Sequence, residues 1–278
     1  MKFTKMHGIG NDYIYVNCFE EKLEDPSRLA IVMSRYHFGV GSDGLILIGP
    51  SDTADFSMRI FNSDGSEADM CGNGIRCVGK YVYDRGLTDK TALTVETGAG
   101  LRRVRLQTEN GSVCSVTVDL GRPDFTPADV PVLDGGDRFM NRKLEVDGRE
   151  WTGTALSVGN PHLVIFLDED VDGLALEKLG PQFENHPLFP DRVNTEFVSV
   201  LPDKSLKMRV WERGSGETQA CGTGACAAVV AAIEQGLCDR NVDVTVKVRG
   251  GELTVCCTES AIYLTGETES VFTGVVEY

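Results

Sequence analysis

Apolar positions along the chain alternate with two periods, and the switch between them marks the elements. Residues 1–17 begin as a short strand, break at His7-Gly8-Ile9-Gly10-Asn11-Asp12, and resume as Tyr13-Ile14-Tyr15-Val16. Pro26 followed by Leu29, Ile31, Val32 and Met33 predicts a short helix over 26–36. Phe56 to Asn62 alternates as a strand, Ile75 to Arg85 has helical spacing and is closed by Gly86, and 91–96, 101–106 and 112–120 alternate again as hairpin strands. Gly121 to Gly136 is rich in Pro, Gly and Asp and reads as a crossover between domains. Beyond it come a strand at Leu163–Leu167, a helical stretch near 174–180, and strands at Phe197–Val200 and 206–212. Ala225 to Gln235 is apolar almost all round, as a buried helix must be, and strands wrapped around a central helix would bury it. Short strands at 242–248, 252–257, 261–265 and 271–277 finish the chain.

The pattern repeats. MRIFNSDGSEADMCGNG at 58–74 returns as MRVWERGSGETQACGTG at 208–224, so that one offset of 150 pairs Arg59 with Arg209, Glu67 with Glu217, Cys71 with Cys221, and Gly86 with Gly236. Gly10-Asn11 is echoed by Gly159-Asn160 at an offset of 149. Two copies half a chain apart indicate a duplicated domain. Gly39-Val40-Gly41-Ser42-Asp43-Gly44 has the spacing of a dinucleotide loop, but a strand-like run, Leu45 to Ile48, follows it where a helix would be needed. It reads as a turn feeding a strand.

Composition narrows the function. A formal charge of −15 and a pI near 4.7 argue against nucleic acid or an anionic membrane as partners. No apolar run reaches the ~18 residues of a membrane span, and no secretory signal opens the chain. Nine cysteines, an odd number, then imply thiols in a reducing compartment, and the expected setting is the cytoplasm.

Cys-Gly-x-Gly directly before a helix sets a thiol at the helix N-terminus. Exposed N–H groups and the positive end of the dipole are expected to lower its pKa, and the same N–H groups suit a carboxylate. Each half therefore offers an acid–base thiol beside an anion cradle. Cys77 and Cys226, on the helices that follow, read as core residues, and no cysteine or histidine spacing suggests zinc. Two such thiols admit two uses: a disulfide switch, or proton removal and delivery on opposite faces of one carbon, which inverts a stereocentre without a cofactor.

Several segments in order, KMHGIGNDYIYV, RYHFGVGSDG, FNSDGSEADMCGNGIRC, ALSVGNPHLVIF, RVNTEFV and WERGSGETQACGTGACA, resemble the diaminopimelate epimerases, a family of cofactor-independent two-cysteine racemases and epimerases. The resemblance spans the whole chain. It implies conversion of LL-2,6-diaminopimelate to the meso form for lysine and peptidoglycan synthesis, with Cys71 and Cys221 as the catalytic pair. It further implies that Gly72-Asn73 and Gly222-Thr223 cradle the carboxylate of the reacting centre. Asn11, Asn62, Asn160, Asn194, Glu212 and Arg213 would hold the other polar groups of the substrate, and His162 and Glu212 would tune the thiols. His7 is left as structural, and Gly44, where some members carry Gln, is assigned no contact. The implied fold is α+β: two pseudo-symmetric domains, 1–118 completed by 264–278, and 119–263. Each is a curved, mostly antiparallel sheet or barrel around a central helix, with the active site in the cleft between them. Members of the family often form homodimers. Proline and hydroxyproline racemases share the chemistry, but their substrate has no second amino acid centre for the asparagines and the Glu212-Arg213 pair to hold. A thiol-redox protein leaves those residues without a purpose.

Overall fold

In the computed structural model, which describes residues 1–277, the chain divides into two units, Met1–Asp119 with Thr265 onward, and Leu120–Leu264. The first runs through β1 (Lys2–Gly8), β2 (Asn11–Asn17), α1 (Pro26–Ser34), β3 (Gly44–Gly49), β4 (Phe56–Asn62), β5 (Glu67–Ala68), α2 (Gly72–Asp84), β6 (Ala92–Thr97), β7 (Gly100–Glu109) and β8 (Ser112–Asp119). The second runs through β9 (Arg142–Val146), β10 (Arg149–Ser157), β11 (Pro161–Leu167), α3 (Leu176–Glu184), β12 (Asn194–Val200), β13 (Leu206–Glu212), β14 (Gly216–Glu217), α4 (Gly222–Glu234), β15 (Asp243–Val248) and β16 (Gly251–Cys257), and the chain passes back to the first within β17 (Ile262–Gly266). The last strand, β18 (Glu269–Val275), pairs antiparallel with β1, Lys2 opposite Val275. No helix among the described residues is long and apolar enough to cross a membrane.

The duplication extends to the pairing. In the first unit β1–β2 is antiparallel, β2–β3 parallel, β3–β4 antiparallel, β4–β6 parallel and β6–β7 antiparallel. The second unit repeats that order with β10–β11, β11–β12, β12–β13, β13–β15 and β15–β16. Most pairs are antiparallel, and the result is the expected sheet-dominated α+β class. Both buried helices end alike. Gly86 and Gly236 take left-handed φ values of 70° and 73°, which L side chains rarely adopt. Leu87 N–H then returns to Val82 O, and Leu237 N–H to Ala232 O, closing each helix end.

Two differences from the sequence reading bear on the site. Helices α2 and α4 begin three residues earlier than Ile75 and Ala225, at Gly72 and Gly222, which makes each cysteine itself the N-cap. The hairpin β9–β10 was not anticipated, although its turn, Asp147-Gly148 at φ 56° and 68°, is a recognised hairpin dipeptide. Trp151 in that hairpin stacks edge-to-face with Phe183 and Phe197, centroids 5.4 and 6.1 Å away, at the heart of the second unit's core. That core backs β11 and β12, the strands that present the second cysteine's neighbours.

Candidate active site

Each cysteine is held by the same three devices. Its extended backbone (φ −140° at Cys71, −111° at Cys221) turns the side chain back over the first helical turn. Its sulfur accepts the N–H three residues on, Gly74 to Cys71 and Gly224 to Cys221, both at 3.3 Å. A repeated bidentate fork, Arg59–Glu67 and Arg209–Glu217 with N···O distances of 2.7–3.0 Å, ties the loop before the cysteine to its strand. These forks explain why Arg and Glu recur in the repeat.

Around Cys71 the side chains form one chain of hydrogen bonds. The thiol donates to Asn11 Oδ1 at 3.4 Å, and Asn73 Nδ2 donates to the same oxygen at 3.1 Å. Asn11 Nδ2 donates to Asp43 Oδ2 at 2.8 Å, which fixes the orientation of that amide. Arg76, with no exposed surface, donates to Asn73 Oδ1 at 2.8 Å and to Gly72 O at 3.1 Å. Burial, then the neighbouring Asp12, pushes the Asp43 carboxyl above its ordinary value. Neither Asp43 nor Arg76 was singled out from sequence. Asn62 stands apart from this chain and donates to Ser66 Oγ at 3.0 Å.

Cys221 has different company. Thr223 Oγ1 lies 3.5 Å from its sulfur. Glu212, at the end of β13, accepts from the Thr218 hydroxyl. His162, on β11, is enclosed, with Nδ1 2.7 Å from Glu196 Oε1 and Nε2 2.9 Å from Asn160 Oδ1. Asn194 spends its amide on the backbone, donating to Pro161 O at 2.7 Å and accepting from Arg213 N–H at 2.9 Å, while the Arg213 side chain is exposed and donates to Asp191 O. So Asn160, His162, Glu212, Thr223 and Cys221 gather in the second unit, and Asn11, Asn73 and Cys71 in the first.

One expectation is reversed. The helix N-terminus was expected to lower both thiol pKa values. Burial pushes the Cys221 thiol well up, and the Glu212 and Glu196 carboxyls add to the effect. The Thr223 hydroxyl and the Gly224 N–H oppose them but are outweighed. Burial likewise raises Glu212, against the Thr218 hydroxyl and the His162 ring. Cys77 is enclosed, as expected of a core residue, and burial pushes it up to about 12.

The sheet-dominated α+β fold is similar to that in crystal structures of a hydroxyproline epimerase from Agrobacterium vitis and of a phenazine biosynthesis protein of the PhzF family from Bacillus anthracis. Both have TM-scores of 0.74, at 17% and 19% identity, covering 99% and 100% of this chain and 90% and 99% of those. They show the fold. The chain belongs to the diaminopimelate epimerase family, whose model matches residues 3–126 and 154–271. Diaminopimelate epimerases of Agathobacter rectalis, Acetivibrio thermocellus and Bacillus subtilis are 56%, 54% and 50% identical to it, over 99–100% of this chain and 98–99% of theirs. It is accordingly an isomerase.

Proposed function

We propose that this enzyme converts LL-2,6-diaminopimelate to the meso isomer by exchanging one α-proton between two thiols, without a cofactor. The observation that carries the reading is the matched capping geometry: each sulfur sits at a helix N-terminus, 3.3 Å from the N–H of the third residue on. One cysteine, as thiolate, takes the α-proton and becomes a thiol. The electron pair left on carbon spreads into the adjacent carboxylate. The other thiol delivers its proton to the opposite face and is left as thiolate, so charge and protons balance and the configuration is inverted. Backbone N–H groups at Gly72-Asn73 and Gly222-Thr223 are suited to hold the carboxylate as its charge grows. Gains made only as charge develops lower the barrier to the chemical step.

Asn11, Asn62, Asn160, Asn194, Glu212 and Arg213 are assigned to the remaining carboxylate and ammonium groups, and Asn194 also braces Arg213 through its backbone N–H. Glu212 and His162 act on Cys221, the thiol whose unit they share. With Glu212 and Glu196 beside it, Cys221 is assigned as the thiol of the resting enzyme. The same reading places the enzyme in the cytoplasm, in lysine and peptidoglycan precursor synthesis, as a homodimer.

The test is purified, reduced, metal- and pyridoxal-free protein with LL-diaminopimelate, followed by chiral separation of the isomers. Meso product is expected. Turnover of proline or hydroxyproline in its place would keep the chemistry and overturn the substrate.

A further inference from the structure

Glu196 is an acid in an enclosed place. It lies with no exposed surface within β12, a strand buried along all but its last residue. Parallel pairing sets His162 opposite Asn194, so Glu196, two residues on, faces the same side and reaches back to the ring. Its Oε1 meets Nδ1 at 2.7 Å, while Oε2 is buried without a hydrogen-bond partner among the described residues. Burying such a group costs free energy that a hydrocarbon would not.

The fold itself does not ask for an acid there. In the first unit β2 and β3 pair in the same parallel register, Tyr13 opposite Gly44, which puts Tyr13 where the second unit has His162 and Ile46 where it has Glu196. The helix above confirms the match. A Cβ built on Gly74 would meet Ile46 Cδ1 at 2.6 Å, and one built on Gly224 would meet Glu196 Oε1 at 2.7 Å. One unit fills the space with a methyl group and the other with a carboxyl oxygen.

Hydrogen bonding then sets what the carboxyl does. Asn160 presents Oδ1, which can only accept, 2.9 Å from Nε2, and in this arrangement that nitrogen carries a proton. The 2.7 Å contact on the other side holds one more, shared between Nδ1 and the Glu196 oxygen. We propose that Glu196 is a positioning residue: it holds His162 with its proton on Nε2, which turns the Asn160 amide oxygen inward and leaves Nδ2 as a donor for an anionic group of the substrate. The proposal rests on the reading of Asn160 as a substrate-binding residue.

The chain has four histidines, so nitrogen NMR of imidazole-labelled protein can resolve each ring, with His162 assigned by its loss in His162→Gln. In the wild-type enzyme Nε2 is expected to carry a proton. Glu196→Gln, whose amide can donate to Nδ1, should keep that tautomer and a near wild-type KM. Glu196→Ile, the residue of the other unit, should release the tautomer and raise KM for diaminopimelate at least about tenfold, the scale of one lost hydrogen bond to a charged group. A wild-type ring with a bare Nε2 would overturn the proposal even if the isoleucine variant failed to fold. So would an unchanged KM in that variant. Wild-type enzyme inert toward diaminopimelate would instead sink the functional reading while the tautomer result stood.

Discussion

Glu196 closes against Gly224. A Cβ at that glycine would lie 2.7 Å from Oε1 and 3.2 Å from the Cys221 sulfur. The carboxyl cannot swing aside, because it is held to the enclosed His162 ring. At Gly74 the obstacle is Ile46 Cδ1 at 2.6 Å, the end of an apolar side chain that no hydrogen bond holds in place. Alanine gains helix propensity at both sites, by about 1 kcal/mol. Gly74→Ala should therefore be close to neutral in urea unfolding. Gly224→Ala should lose about 1–3 kcal/mol before that gain is counted, and lose activity with it. Equal midpoints for the two variants would contradict the asymmetry.

Arg76 supports the first cysteine from below. Its guanidinium satisfies Gly72 O and Asn73 Oδ1, and Asn73 in turn holds Asn11, the acceptor of the Cys71 thiol. Arg76→Met removes both donors from buried acceptors and should cost about 3 kcal/mol in urea unfolding. The folded fraction should also turn over at least about tenfold more slowly, since the Asn73–Asn11 chain loses its anchor. A folded variant with wild-type kcat would show that the anchor is dispensable.

Glu212 makes stability depend on pH. Its folded-state carboxyl is raised above the ordinary 4.5, chiefly by burial. A raised value means the folded state holds the proton more tightly. That contribution is complete below the unfolded value and is lost as pH rises through the folded one. Urea unfolding from pH 4 to 8 should then show Glu212→Gln gaining on the wild type as pH rises through this window. The facing groups, Thr218, His162, Glu196 and Cys221, are the same in both proteins. Parallel curves would contradict the assignment.

Cys77 should be inert. With its pKa pushed up to about 12 by burial, it has almost no thiolate at pH 8. Iodoacetamide applied to the native enzyme at that pH should leave Cys77 unmodified by peptide mass spectrometry and modify it after denaturation. Native labelling of Cys77 would place it outside the core.

Cys71 and Cys221 could be read from sequence because duplication repeats what function needs at a fixed spacing, and the Cys-Gly-x-Gly pair stands out against two otherwise diverged halves. The start of each helix could not. Gly72-Asn73-Gly74 and Gly222-Thr223-Gly224 are poor helix formers, and the capping sulfur, with the backbone bonds from Ile75 to Cys71 and from Ala225 to Cys221, holds them in the first turn. Glu196 was hidden by its strand. Asn194–Val200 is buried along nearly its whole length, so neither alternation nor polarity marks which side chain meets His162. The signal that could have found it is the repeat itself, where Glu196 stands at the offset partner of Ile46. The Asp147-Gly148 turn is itself a legible signal, a hairpin dipeptide between the two strands that it joins. The downward shift expected for Cys221 failed because a helix terminus acts locally, while desolvation and two carboxyls act on the same sulfur with greater weight.

Removing either thiol should cost the enzyme its reaction, by about 10²–10⁴-fold or more, the scale of a positioned acid or base. The direct measurement is turnover of LL-diaminopimelate in D2O by the wild type, Cys71→Ala and Cys221→Ala, all reduced and shown to be folded, with α-deuterium read by NMR and isomers separated on a chiral column. The two-thiol account expects meso product carrying solvent deuterium from the wild type and none from either variant. Meso product formed at the wild-type rate by either single-cysteine enzyme would contradict it.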